Sequence, residues 1–280
     1  MTFSAPPVDK RHAGGYQLGG MAPRDQGGPP VLGLPAPVRA CLFDLDGVLT
    51  RTATVHAAAW TEMFDEFLRA RAPAPGEDLS PFTPGDYDRY VDGRPRLDGT
   101  RAFLESRGIH LPEGGAGDPA GAPTVNGLGT RKNDLVLARL AVAVAVYEGS
   151  VHYVDAARAA GLGTAVVSSS ANAREVLAAG GIDDRFDAVV DGVVAEARGL
   201  RGKPAPDTFV AAATDLGLGP PAAAVFEDAL AGVEAGRAGG FGFVVGVDRV
   251  GQADALREHG ADVVVADLAD MLDVDAGRPG

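Results

Sequence analysis

Cys41-Leu42-Phe43-Asp44-Leu45-Asp46-Gly47-Val48-Leu49-Thr50 is the stretch that decides the fold. Three apolar residues read as the end of a buried strand, and two carboxylates with a glycine follow as the chain leaves the sheet. Open α/β sheets hold their ligands just outside the carboxyl ends of their strands. Two neighbouring acids repel each other unless a cation or a proton lies between them. The chemistry that uses such a pair is attack by one carboxylate while the other handles the proton.

Outward from this stretch the pattern alternates. Further strands are predicted to end at Val167, Val190, Phe226 and Val247, with another at Val263–Val265, and helical patterns run over Ala171–Ala179, Pro206–Leu216, Ala229–Ala238 and Gln252–His259. This order implies an α/β fold, a Rossmann-like parallel-sheet core covered on both faces. The first two strands are more than a hundred residues apart, too many for one crossover helix. Within that interval Trp60, Met63, Phe64, Phe67 and Leu68 repeat at helical spacing, and 98–107 and 130–140 read as helices. The expected organisation is therefore a core of residues 37–51 and 144–280 with an inserted α-helical cap over 52–143. Hinges are expected near Leu49–Arg51 and Val144–Gly149, with Ala141–Val146 as a short extended return. Residues 112–129 contain nine glycines or prolines and predict a flexible loop. Residues 1–36 contain thirteen and predict a disordered tail with no role in the fold.

The net charge of −13 argues against a nucleic-acid groove or an anionic membrane as partner. A small anionic substrate remains compatible, because a bound cation and local positive side chains reverse the field inside a cleft. Cys41 is the only cysteine, so no intrachain disulfide forms, and its apolar strand predicts an inert buried thiol. The longest apolar run, Leu140–Tyr147, has eight residues, against the ~20 that span a bilayer. A cytoplasmic monomer is the expectation.

Three further segments are predicted to end at the same sheet edge as Asp44 and Asp46. Ser168 follows the strand Gly163–Val167, Lys203 sits in Gly202-Lys203-Pro204-Ala205-Pro206-Asp207, and Glu227-Asp228 follow Ala224-Val225-Phe226. With these four motifs in order, the chain resembles the haloacid dehalogenase superfamily over nearly all of residues 38–270, and within it the β-phosphoglucomutase-like branch with a helical cap after the first motif.

The resemblance implies a set of roles. Asp44 is the expected nucleophile, Asp46 the general acid/base, and Ser168 and Lys203 the groups that hold the transferring phosphate. Mg²⁺ is the implied cofactor, bound by Asp44, the Asp46 backbone carbonyl, Glu227 and Asp228. His56 is implied to couple the acid/base to cap closure, Arg96 to clasp the non-transferring phosphate, and Lys132 to contact substrate from the cap. Arg94 competes with Arg96 for the clamp, and Thr52, Gly93, Ser169 and Asn172 complete the implied substrate-binding set. The implied partner is a small phosphorylated sugar. The expected reaction converts β-glucose 1-phosphate to glucose 6-phosphate through the 1,6-bisphosphate, with a sugar-phosphate phosphatase as the alternative. A dehalogenase would leave Asp46, Glu227 and Asp228 unexplained, and a non-enzymatic sensor would be expected to have lost a motif residue. Three positions depart from the family: Arg51 stands where an acid is usual, Ala171 replaces a lysine and Ala229 a serine.

Overall fold

The computed structural model describes residues 32–140 and 144–276. Its centre is a six-stranded parallel sheet of β1 (Ala40–Phe43), β2 (Gly163–Val167), β3 (Ala188–Val190), β4 (Ala223–Glu227), β5 (Phe243–Val247) and β6 (Val263–Val265), in the order β3-β2-β1-β4-β5-β6. After β1 the chain builds outward through β2 and β3, then returns to β4 on the other side. The point where the order reverses lies between β1 and β4, the place where such sheets form their crevice.

Alternation within each strand explains why both faces are covered. Ala40 and Leu42 pack with Phe209, Ala212 and Phe241 on one side, whereas Cys41 and Phe43 pack with Tyr153, Val166 and Phe226 on the other. Phe43 stacks on Phe226 across the β1–β4 pair, with ring centroids 4.6 Å apart. Cys41 is fully buried, and burial pushes its thiol well above the ordinary range, as an inert core thiol requires.

The helices in chain order are α1 (Ala53–Ala70), α2 (Pro84–Asp86, continued by a π turn over Tyr87–Val91), α3 (Arg96–Ser106), α4 (Val125–Leu140), α5 (Glu148–Ala159), α6 (Ala173–Ala179), α7 (Gly192–Arg198), α8 (Asp207–Asp215), α9 (Leu230–Ala238), α10 (Ala253–His259) and α11 (Ala269–Ala276). The stretch α1–α4 has its own apolar cluster, centred on Trp60, Phe64, Phe82 and Phe103. The apolar stripe of α1 faces this cluster, which is why its three-four spacing was visible in the sequence. Two connections join the helical block to the sheet side by side: the Arg51 amide donates to the Ala145 carbonyl at 2.8 Å and the Tyr147 amide to the Leu49 carbonyl at 2.9 Å. Residues 144–146 of the expected return are thus extended, while 141–143 lie outside the described residues.

Two expectations need correction. The loop predicted over 112–129 ends at Thr124, because α4 begins at Val125 and includes Gly127 and Gly129. Both glycines are buried where a β-carbon would collide, Gly127 with Ala122 and Gly129 with Leu97, so they mark close approach inside a helix. The predicted tail is also too long. Leu34 is 2% exposed and belongs to the core, and the Tyr153 hydroxyl donates to the Leu32 carbonyl at 2.9 Å. The rest of that predicted tail, residues 1–31, lies outside the described residues.

Candidate active site

The sheet register brings the motif residues to one level. The Asp44 amide donates to the Phe226 carbonyl at 2.9 Å, so the chain leaving β1 stays beside the end of β4. The Ser168 amide donates to the Val190 carbonyl at 3.0 Å, and the Ser168 hydroxyl accepts from the Ser170 amide at 3.1 Å. Gly47 makes the turn at φ +96°, where a β-carbon would run into the Asp228 carboxylate. Only glycine lets the first acidic loop and the fourth motif approach this closely.

Lys203, 2% exposed, is the electrostatic centre. Its Nζ donates to Asp44 Oδ1 and, at 3.1 Å, to the Val167 carbonyl, and stands 2.5 Å from Glu227 Oε1. The Lys203–Pro204 peptide is cis. Burial and the adjacent carboxylates act in opposite senses on Lys203, and the carboxylates prevail, holding it above the ordinary lysine range. Burial pushes Asp44 well above the usual carboxylate range, with Lys203 pulling against it; Asp228 is pushed up by burial and then by Asp92, Asp44 and Glu227.

Ligand atoms of Asp44, Glu227 and Asp228 all lie within 4.8 Å of one another, and all three residues are buried. One lysine leaves such a cluster short of positive charge, and an all-oxygen donor set suits a hard cation. The residues therefore fit Mg²⁺. The Asp46 side chain does not join them. It accepts from the Thr52 hydroxyl, which is itself 2.6 Å from Thr50 Oγ1, and faces His56 Nε2 at 3.5 Å.

A cavity of about 500 Å³ opens from Asp44, Asp46 and Asp228 between the sheet edge and the helical block. Small-molecule sites span roughly 300–1,000 Å³. Across it, Arg96 Nη1 donates to Asn133 Oδ1 at 2.6 Å, Asn172 Nδ2 donates to the same oxygen at 3.1 Å, and Arg96 Nε is buried without a hydrogen-bond partner among the described residues. The Ser169 hydroxyl donates to the Gly93 carbonyl at 2.7 Å, joining core to helical block. Lys132 Nζ is 2.8 Å from His56 Nδ1 and lies over the Trp60 ring. Burial lowers Lys132 to about 7, and burial and then Lys132 lower His56 to about 4. When charged, Lys132 donates to Nδ1, which leaves the His56 proton on Nε2, facing Asp46.

Ser168, Ser169, Asn172, His56, Gly93, Arg96 and Lys132 all line the cavity, as does Arg94, which makes no side-chain hydrogen bond among the described residues. Thr52 is a correction. It does not line the cavity; its hydroxyl is committed to Asp46 from the N-cap position of α1. The sequence reading missed Asp92, Tyr87, Ser170 and Asn133, which also line it. Asp92 is raised by burial to about 7 although Tyr87 hydrogen-bonds to it, and Tyr87 is raised well above its usual value by burial and then Asp92. Asn133 was within reach, since it follows Lys132 directly; nothing local in the sequence marks Tyr87.

No helix among the described residues is long and apolar enough to cross a membrane. The profile of haloacid dehalogenase-like hydrolases matches residues 38–240. A protein named β-phosphoglucomutase from Mycobacterium bovis is 58% identical over 247 residues, covering 86% of this chain and 94% of that protein. One of the same name from Bacillus subtilis is 31% identical over 84% of this chain and 92% of that protein. The crystal structure of a Clostridium difficile β-phosphoglucomutase shares the fold, with a TM-score of 0.66 at 22% identity over 86% of this chain and all of that one. Sheet order, motif geometry and these relatives lead to one conclusion: the chain belongs to the haloacid dehalogenase-like hydrolase family, as an enzyme of its β-phosphoglucomutase-like branch.

Proposed function

We propose that the protein is a β-phosphoglucomutase that converts β-glucose 1-phosphate to glucose 6-phosphate through the 1,6-bisphosphate. The observation that carries this reading is the two-ended cavity, with Asp44 and Asp46 at one end and the Arg96–Asn133–Asn172 group on residues of both the helical block and the core. A sugar with a phosphate at each end fits such a site in either direction, as a mutase needs. The relative at 58% identity bears the same activity in its name.

Asp44 is the nucleophile. Its carboxylate oxygen forms a bond to phosphorus while the sugar oxygen leaves and takes a proton from Asp46. In the reverse sense Asp46 takes the proton of the incoming hydroxyl, whose oxygen bonds to phosphorus as the acyl-phosphate bond breaks. Asp44, Glu227, Asp228 and the Asp46 carbonyl would hold Mg²⁺, which when bound supplies charge neutralisation at the phosphoryl oxygens. Lys203 offsets the charge of Asp44 and Glu227, and Ser168 holds the phosphoryl group. Thr52 and His56 orient the Asp46 carboxylate. The helices α1 to α4 act as the cap, and their contacts to the core keep water from the phosphoenzyme.

Incubation with β-glucose 1-phosphate, the 1,6-bisphosphate as primer and Mg²⁺ tests the reading: glucose 6-phosphate should form faster than inorganic phosphate, and the α-anomer should not react. Faster phosphate release would overturn it in favour of a sugar-phosphate phosphatase. That second reading has support in Ala171, which lines the cavity without contributing a cation.

A further inference from the structure

The loop between β5 and α10 touches both acidic loops of the site. The Asp248 carboxylate accepts from the amides of Val250, Gly251 and Gln252 at 3.2, 2.7 and 2.9 Å, which fixes the loop as a rigid turn. Two long side chains leave it. Gln252 Nε2 donates to the Asp228 carbonyl at 2.9 Å. Arg249 Nε donates to the Gly47 carbonyl at 2.8 Å, one residue beyond Asp46, while Nη2 stands 3.4 Å from the Val48 carbonyl and Nη1 donates to the Ala266 carbonyl at 2.7 Å. The Arg249 guanidinium also lies 3.6 Å from the centroid of the Tyr147 ring, over which Arg51 lies as well, at 4.3 Å. Arg51 and Tyr147 sit on the two hinge connections and are locked to each other's strands by backbone hydrogen bonds.

One guanidinium thus holds the loop that carries Asp46, the hinge ring and the segment leading to α11. A planar fork of five donors is the side chain that can satisfy carbonyls from separate segments and still present a face to an aromatic ring. Arg249 is 13% exposed and does not line the cavity, so it has no contact with substrate.

We propose that Arg249 is a positioning residue that couples the Asp46 loop to the cap hinge, so that the acid/base is in register only when the hinge is seated. The proposal rests on the reading of Asp46 as the acid/base. Without the fork, the Gly47 and Val48 carbonyls lose their donor and the Tyr147 ring its cationic partner from the core. Asp46 then meets the sugar hydroxyl less often, and the phosphoenzyme waits longer with a loosened cap, open to water.

The test compares Arg249→Met, Arg249→Lys and Val250→Ala, the last an exposed neighbour that touches nothing in the site. The first readout is the ratio of inorganic phosphate to glucose 6-phosphate formed per turnover from β-glucose 1-phosphate. This ratio does not depend on how much protein is folded. Arg249→Met should raise it about tenfold, the factor that one charge-assisted hydrogen bond carries. Arg249→Lys should fall between Met and the parent, and Val250→Ala should match the parent. The second readout is amide hydrogen exchange by mass spectrometry, which should quicken in Arg249→Met over residues 44–51 and 144–150 but not over α3. An unchanged product ratio in Arg249→Met, or unchanged exchange at the two hinge segments, overturns the proposal. Should the parent enzyme give only inorganic phosphate, the mutase reading fails, and the exchange readout still decides the role of Arg249.

Discussion

Lys203→Met keeps the length and apolar stem of the side chain but removes the cation between Asp44 and Glu227. With Asp228 close by, the change leaves three buried carboxylates with no lysine. Removing one partner of a buried ion pair costs about 3–5 kcal/mol. At roughly 2–4 °C per kcal/mol for a protein of this size, the melting temperature in EDTA should drop by roughly 6–20 °C. Because burial raises Asp44 and Asp228, the folded state binds these protons more tightly than the unfolded chain. Their stabilising contribution is therefore present below the ordinary carboxylate range and is lost as pH rises through their folded values, so the deficit should narrow on going from pH 8 to pH 5. Mg²⁺ at a hundred times its dissociation constant should add about 2.7 kcal/mol to the stability of the protein that binds it. Scanning calorimetry of both proteins, with EDTA and with Mg²⁺, at three pH values reads all of this. A deficit under about 1 kcal/mol, or a variant that Mg²⁺ fails to stabilise, would refute the idea that Lys203 and a cation share the neutralisation of this cluster.

Asp44→Asn should abolish the acyl phosphate, seen as loss of hydroxylamine-sensitive label from a labelled bisphosphate, while the secondary structure seen by circular dichroism is retained. Arg96→Ala should lower kcat/KM for β-glucose 1-phosphate by roughly tenfold to a hundredfold, the worth of a charged hydrogen bond, yet leave hydrolysis of an aryl phosphate nearly unaffected; equal losses would remove Arg96 from the clamp. His56→Gln should flatten the acid limb of the stability profile. In the parent, His56 is held down to about 4, so the unfolded chain takes up its proton first and stability falls between pH 6.5 and 4; urea unfolding across that window should show a shallower slope in the variant.

The strands were legible because each ends in an apolar run followed by a polar motif, and a parallel sheet buried on both faces leaves little else for such runs to do. α1 was legible for the same reason, since Trp60, Met63, Phe64 and Leu68 all face one apolar cluster. The start of α4 was hidden because Gly127 and Gly129 read as loop residues, when close packing against Ala122 and Leu97 is what demands them. α5 and α7 went unseen. α5 follows directly on the extended return, and the exposed Val193 and polar Glu196 of α7 give no clear stripe. In the site, residues placed by a strand end could be found from the chain alone. Asp92 and Tyr87 could not, because a π turn and the folding of the helical block onto the sheet edge bring them to the cavity. The Thr52 hydroxyl bonds to Asp46, a pairing that proximity in sequence does not announce.

Gly202 has a consequence for anyone wishing to toughen this enzyme. Swapping loop glycines for alanine ordinarily adds a little thermal resistance by restricting the unfolded chain. Here a methyl group would overlap the ring of Pro95 on the opposing helical block, and one on Gly93 would press within 2.9 Å of Ala229. Both swaps would act as wedges that hold the two sides ajar, and at Gly93, with φ at +68°, a side chain would strain the backbone as well, so the usual thermal gain is lost.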